Sequence, residues 1–255
     1  MVKDSPKQQP PADVLGRGLM ILNALPDAPR GLSLSEIAEK TGLHVSTAQR
    51  MLRTLEKAGF IRRDQETRRY RVGFRVYEIA RRSASTLLEA ALPAMRSLSQ
   101  ATGEMCSLAA LEGPDIIFLE RVQGSHQLQL AGRIGYRAPA YCTSMGKALL
   151  AFTPKTELDQ ILRQTKFKRF TRKTITSIRE LEADLDRTRQ RQFAIVEEEY
   201  DEGVRAVAVP LLDAANRPIA ALCLTYPSNR HHSTEAKKFA ALLSKARAQI
   251  ESSLL

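Results

Sequence analysis

The stretch LSLSEIAEKTGLHVSTAQRMLRTLEKAG, residues 32–59, constrains this chain more than any other. Two helical periods are separated by a single glycine. Ser33 or Ser35 caps the first, whose Leu34, Ile37 and Ala38 share a face. Gly42 stops it, because glycine accepts the left-handed conformation without a steric penalty. Leu43 then inserts into the turn. The next helix, from Val45 to Ala58, carries Ala48, Met51, Leu52 and Leu55 on one face and Ser46, Thr47, Gln49, Arg50 and Arg53 on the other. Helix, short glycine-containing turn and helix in this order make a helix-turn-helix. An amphipathic helix precedes it in VLGRGLMILNAL, with Val14, Leu15, Leu19, Ile21, Leu22 and Leu25 apolar, and Pro26, Pro29 and Gly31 end it. After Gly59 the runs Phe60–Arg62 and Arg69–Val72 flank a polar turn with Asp64 and Glu66. They predict a β-hairpin, the wing of a winged helix.

Charge points the same way. The net charge is +11, and between His44 and Arg75 nine basic residues face only three acids. A local excess of this kind suits a polyanion, although a solvated basic face would look the same. Arginine can donate twice to guanine, and glutamine can pair with adenine in the major groove. The candidate DNA-binding residues are therefore Ser46, Thr47, Gln49, Arg50 and Arg53 on the second helix of the motif, Arg68 and Arg69 near the wing tip, and Arg17 on the first helix.

The remainder reads differently. Residues 1–13 are polar and proline-rich and predict a disordered tail. Phe74 to Leu92 has no Gly or Pro and predicts a connecting helix, of which 76–92 is the linker. Its small and apolar residues suit packing on another helix, including one from a second subunit. Pro93 opens a further helix through Gln100. Strand-like runs follow at 105–111, 115–122 and 126–132, then helices near Thr143, at 154–163 and at 177–192. Strands return at 193–199, 204–212 and 218–226, and a basic amphipathic helix at 233–251 closes the chain. The expected fold is α+β: a winged helix-turn-helix over 14–75, joined by a helix to an α/β sheet domain over 93–255 with a single core.

These residues are similar to a known family. RGLMILNAL, GLSLSEIAEKTGLHVSTAQRMLRTLEKAGFIRRD and RYRVG resemble the N-terminal domain of the IclR family of bacterial regulators, in order and spacing, through residues 16–73. His44–Val45 departs from the proline and polar neighbour usual ahead of Ser46–Thr47, a change that bears on base preference. PAYCTSMGKALLAF, the threonines around Thr171–Thr176, EEEYDEGVRAVAVPLLD and RPIAALCLTYP resemble the family's second domain. The resemblance implies a GAF-like sheet that binds a small, usually acidic metabolite, a homodimer or dimer of dimers, and a near-palindromic double-stranded DNA operator. The wording around PAYCTSMG is nearest the branch controlling aromatic-acid breakdown through the β-ketoadipate pathway. Carried over residue by residue, the family's pocket falls on Leu130, Tyr141, Ser144, Met145, Val204, Ala206, Cys223 and Thr225.

Local chemistry adds to that pocket. Strand-like Pro139–Tyr141 leads into a helix capped by Thr143 or Ser144, and free N–H groups at a helix start favour a carboxylate. Thr143 serving only as its own helix's cap is the plainer alternative. Gly146 permits close approach of backbone or ligand. The resemblance also sets the acidic loop Glu197–Glu199 at the pocket rim, with Glu198 among the site residues; a solvated loop before a strand is the plainer alternative. These acids would repel an acidic ligand unless an arginine such as Arg205 or Arg133 offsets them, or would accept hydrogen bonds from its hydroxyls.

Other classes fare worse. Gly146–Lys147 is no phosphate loop, since position 141 is Tyr and 148 is Ala. There is no GxSxG or HExxH, and the four histidines form no helical i, i+4 pair. Cys106, Cys142 and Cys223 could converge on a soft metal, but core packing is the simpler use. No cofactor or metal is expected, and no membrane partner. The absence of an apolar leader at the start points to the cytoplasm. An enzyme-like domain carrying a DNA-binding module is the alternative, and an architectural DNA binder a third.

Overall fold

The computed structural model describes residues 11, 13–26, 28–126, 133–231 and 235–254, without the side chains of 81–85. The predicted tail and most of the strand expected at 126–132 therefore lie outside the described residues. The chain divides into two compact units at residues 85 and 86.

The first unit holds α1 (Val14–Ala24), α2 (Leu34–Thr41), α3 (Val45–Lys57), β1 (Ile61–Arg63) and β2 (Tyr70–Val72). Of the two candidate serines, Ser33 is the cap. Its hydroxyl accepts from the Glu36 N–H while the Glu36 carboxylate accepts from the Ser33 N–H, a reciprocal capping box. Gly42 closes α2 in the left-handed region at φ 67°. Ile21, Leu25, Ile37, Leu43, Ala48 and Leu52 meet in one buried cluster, so the three helical periods share one core. β1 and β2 pair antiparallel, and Leu32 bridges to Tyr70, which ties the wing to the strand-like approach to α2.

The two helices expected on either side of Pro93 are one. α4 runs unbroken from Phe74 to Thr102, with Pro93 inside it. Proline cannot donate to the carbonyl four residues back, which costs the helix a single hydrogen bond. Burial of Ala91, Met95 and Leu98 around that point offsets the loss.

The second unit is built on a six-stranded antiparallel sheet. Its strands are β3 (Met105–Glu112), β4 (Asp115–Val122), β5 (Arg137–Pro139), β6 (Ala194–Glu197), β7 (Val204–Leu212) and β8 (Pro218–Pro227), in the order β5-β4-β3-β8-β7-β6. Three helices, α5 (Ser144–Phe152), α6 (Lys155–Gln164) and α7 (Ile178–Arg191), contribute to the cluster on one face. The end of α4 and α8 (Ala236–Leu254) contribute to the other. The expected single core is thus two, because alternate residues of β3, β7 and β8 are apolar on both faces: Ala109 and Cys223 on the α5 side, Cys106 and Leu224 on the α8 side. Of the strand-like Pro139–Tyr141, only Pro139 lies in a strand. Strand pairing ends at Pro139, and Ala140–Cys142 forms a 3-10 turn that reverses the chain into α5.

What holds α5 in place is a charge. Lys147 has no exposed surface, and its ammonium lies 2.8 Å from Asp184 of α7 and 2.5 Å from Glu199 after β6. Burial pushes the Glu199 carboxyl up; it works against Asp184 as well, but Lys147 and Arg187 outweigh it there and leave that carboxyl below its usual value. Lys147→Met should destabilise the protein by about 3–5 kcal/mol, because buried Glu199 loses its cation and Asp184 keeps only Arg187. Denaturant unfolding followed by circular dichroism measures it; a loss under about 1 kcal/mol would mean the pair is dispensable.

Candidate nucleic-acid interface and effector site

On α3 the apolar positions Ala48, Met51 and Leu52 are buried, so the opposite face is presented outward. Ser46, Gln49, Arg50 and Arg53 are exposed and Thr47 is half-buried. Among the described residues neither the Arg50 nor the Arg53 guanidinium makes a hydrogen bond or ion pair. Both are free to take an acceptor. His44 stands at the N-cap of α3 without a side-chain cap bond.

The wing arginines sort differently. Arg69 is half-buried; its guanidinium holds the Glu36 carboxylate at 2.7 Å and the Gly31 carbonyl at 3.0 Å. This ties the wing to the start of α2 and is a structural commitment. Hydrogen bonds from Ser33, then from Arg69, bring the Glu36 carboxyl down to about 2. Arg68 is exposed at the tip with φ 58°, in a turn that Asp64 closes by accepting from Glu66 and Thr67. Arg17 is half-buried and donates to the Pro11 carbonyl at 2.9 Å.

In the second unit, Gly146 explains how α5 sits so low. A Cβ there would lie 2.2 Å from the Ala140 carbonyl oxygen, so only glycine lets the helix start against the 3-10 turn. Ser144, at the first position of α5, then reaches the sheet: its Oγ is 3.3 Å from Cys223 Sγ, which is 3.3 Å from Thr225 Oγ1. Met145 and Ala206 are buried in the same cluster, and Val204 shares their side of β7 by alternation. These six predicted residues share that face.

Three others are engaged elsewhere. Thr143 caps α5 by accepting from the Gly146 N–H and donates to the Pro139 carbonyl. Tyr141 is buried, and its hydroxyl both donates to the Lys168 carbonyl and accepts from the Lys168 N–H. Glu198 is held by Lys173 at 3.2 Å, and hydrogen bonds from Lys173 and Ser228 lower its carboxyl. Leu130 lies outside the described residues. The three adjacent glutamates are offset one by one: Glu197 by Arg205, Glu198 by Lys173 and Glu199 by Lys147. The cysteines do not converge, since Cys106 packs on the opposite face of the sheet from Cys142 and Cys223. Burial pushes the Cys142 thiol up to about 12 and raises the other two, so all three are protonated near neutrality.

Sequence reasoning missed Lys147, although a lysine within the apolar run SMGKALLAF was its signal. It also missed Ser107 and Arg121, which stand beside Cys223 on the same face by strand register.

Comparison with known proteins agrees with both halves. The IclR helix-turn-helix domain matches residues 14–65, and the bacterial transcriptional regulator IclR C-terminal domain matches residues 81–252. The chain belongs to the IclR family. It is a DNA-binding transcription regulator with a helix-turn-helix domain and an effector-binding domain. Among IclR-family relatives, the Escherichia coli regulator KdgR is 31% identical over 236 residues, covering 92% of this chain and 89% of that protein. A transcriptional regulator from Rhodococcus sp. RHA1 superposes with a TM-score of 0.81 at 31% identity, covering 94% of this chain and 97% of the other. An IclR homologue from Microbacterium hydrocarbonoxydans, solved in complex with 4-hydroxybenzoate, superposes with a TM-score of 0.84 at 25% identity, covering 95% and 99%.

Commitment of each arginine sets two expectations for this IclR-family regulator. Arg50→Ala and Arg53→Ala should each weaken cognate DNA binding by about 1–3 kcal/mol and leave thermal stability unchanged, whereas Arg69→Ala should lower stability; gel shifts and melting curves separate the two. The Glu36 carboxyl titrates below its unfolded value of 4.5, so its share of stability is complete above that pH and is lost as pH falls toward 2. Glu36→Gln should remove that part of the acid dependence, read by circular dichroism between pH 5 and 2 on the parent and variant. Identical acid profiles would dismiss the role.

Proposed function

We propose that this regulator controls a catabolic operon in response to a small aromatic carboxylic acid. The observation that carries the reading is the polar chain that runs from Ser144 at the start of α5 to Cys223 and Thr225 on β8, set into a face lined largely by apolar side chains. A helix start favours an anion, and a few polar groups among apolar walls suit a small molecule whose ring supplies most of the affinity. Binding of 4-hydroxybenzoate by the Microbacterium homologue supports the same class of ligand.

DNA binding is assigned to residues 14–75 and effector binding to the part that follows residue 93, in the cytoplasm where the DNA is. The protein acts as a dimer or dimer of dimers on a near-palindromic operator, since one helix-turn-helix covers only a half-site. Leu15 is 72% exposed on α1, and Phe74 and Tyr77 are 70% and 64% exposed at the start of α4. Apolar surface of this size on a small unit is suited to burial against a second copy.

Calorimetry with benzoate, 4-hydroxybenzoate and succinate tests the effector, and analytical ultracentrifugation tests the assembly. A benzoate-type acid should bind, Met145→Trp should block it by filling the face, and the acid should change DNA affinity by the same factor by which DNA changes acid affinity. Binding of succinate alone would end the aromatic reading. A monomer at micromolar concentration with full operator affinity would end the dimeric one.

A further inference from the structure

We propose that Arg121, with Ser107 beside it, is the carboxylate anchor of the effector site, and that the site takes an acid with one negative charge. The inference rests on the reading that the α5 face of the sheet binds the effector. It adds the group that neutralises the ligand.

Register places the residues. Ser107 on β3 is paired with Arg121 on β4 and with Cys223 on β8, so the three side chains stand in one row on one face. Ser144 comes down on that row from α5 by its contact with Cys223. Two polar groups in the row lack partners among the described residues. Ser107 has no exposed surface and its Oγ makes no hydrogen bond; Arg121 Nε is buried and makes none. Buried polar groups in native proteins are almost always satisfied, so two adjacent exceptions on one face suit a site that an external acceptor completes.

The charge of Arg121 meets only soft partners. Its guanidinium lies 3.8 Å from the centre of the Phe118 ring, and one of its N–H groups points at Met105 Sδ at 3.8 Å. Among the described residues no carboxylate comes within ion-pair distance. Other arginines of this unit are treated differently: Arg230 holds Glu104 at 2.7 Å, and Arg247 holds Glu251 at 2.8 Å. Burial pulls the Arg121 pKa down, the sign of a cation kept from water without an anion. An incoming carboxylate would fit the guanidinium fork and accept from the Ser107 hydroxyl.

The surroundings suit a flat apolar body. The ring centres of Phe118 and Tyr136 are 6.3 Å apart, and the Tyr136 hydroxyl meets that of Tyr200 at 2.7 Å. Among the described residues no second cation stands in the row, so a second carboxylate on the ligand would face Phe118 and Met145 unpaired.

Calorimetry and thermal melting of the full chain and of Arg121→Gln, Arg121→Lys and Ser107→Ala, with benzoate, benzamide, pyruvate and succinate, test this. Arg121→Gln should weaken benzoate binding by about 10- to 100-fold, as expected for loss of charge-assisted hydrogen bonds. Arg121→Lys should restore part of it, Ser107→Ala should weaken it several-fold, and benzamide should bind parent and Arg121→Gln alike. Without ligand, Arg121→Gln should melt close to the parent, because only the contacts with Phe118 and Met105 are lost and no internal ion pair is. Benzoate binding that Arg121→Gln leaves unchanged overturns the anchor while the aromatic-acid reading stands. Arg121-dependent binding of pyruvate alone upholds the anchor and ends the aromatic reading. If no acid binds the parent, or if Arg121→Gln melts several degrees lower, Arg121 is structural and the proposal falls.

Discussion

An ammonium group with no access to water is the constraint on which the effector face depends. Lys147 is sustained only because Asp184 and Glu199 reach it from α7 and from the segment after β6. A buried ion without partners costs several kcal/mol, so the position of each of these three elements depends on the other two. The carboxylate side is itself pinned. Thr171 donates to the Glu198 carbonyl at 2.6 Å and Thr174 to the Glu199 carbonyl at 2.7 Å. The threonines that mark the family's second domain thus hold the segment that carries the counter-ion of Lys147. The tie fixes the height of α5 over the sheet, and with it the reach of Ser144 to Cys223.

Commitment of charge divides the basic residues throughout the chain. Its net charge of +11 invites the view that every exposed arginine serves DNA. Arg69 does not fit that view: a half-buried guanidinium that bridges Glu36 and the Gly31 carbonyl is occupied in holding the wing against α2. Arg50 and Arg53 sit five and eight positions past Val45, the first residue of α3, and hold nothing internal among the described residues. Exposed ion pairs contribute little to stability, so arginines left unpaired on an outward helix face cost the fold little and remain available for an external acceptor.

The first unit was legible because its determinants are local. A cap three residues before its partner, a glycine at a helix end and apolar residues three and four apart act within one or two turns of chain. Ser33 with Glu36, Gly42, and the buried set Ala48, Met51 and Leu52 could be read in order. Pro93 misled for the converse reason: the local rule ends a helix there, and burial of Ala91 and Met95 in the second unit outweighs one lost hydrogen bond.

By itself the sequence determined the helix-turn-helix, the positions of most strands and the family, since each is written in spacing along the chain. Tertiary structure alone decided which polar residues meet. Ser107, Arg121, Ser144 and Cys223 are far apart in the chain, and only the pairing of β3 with β4 and β8, with α5 lowered by Gly146 and Lys147, sets them on one face. Strand alternation tells which residues share a side of one strand; register between strands, which no local period records, tells which of them are neighbours.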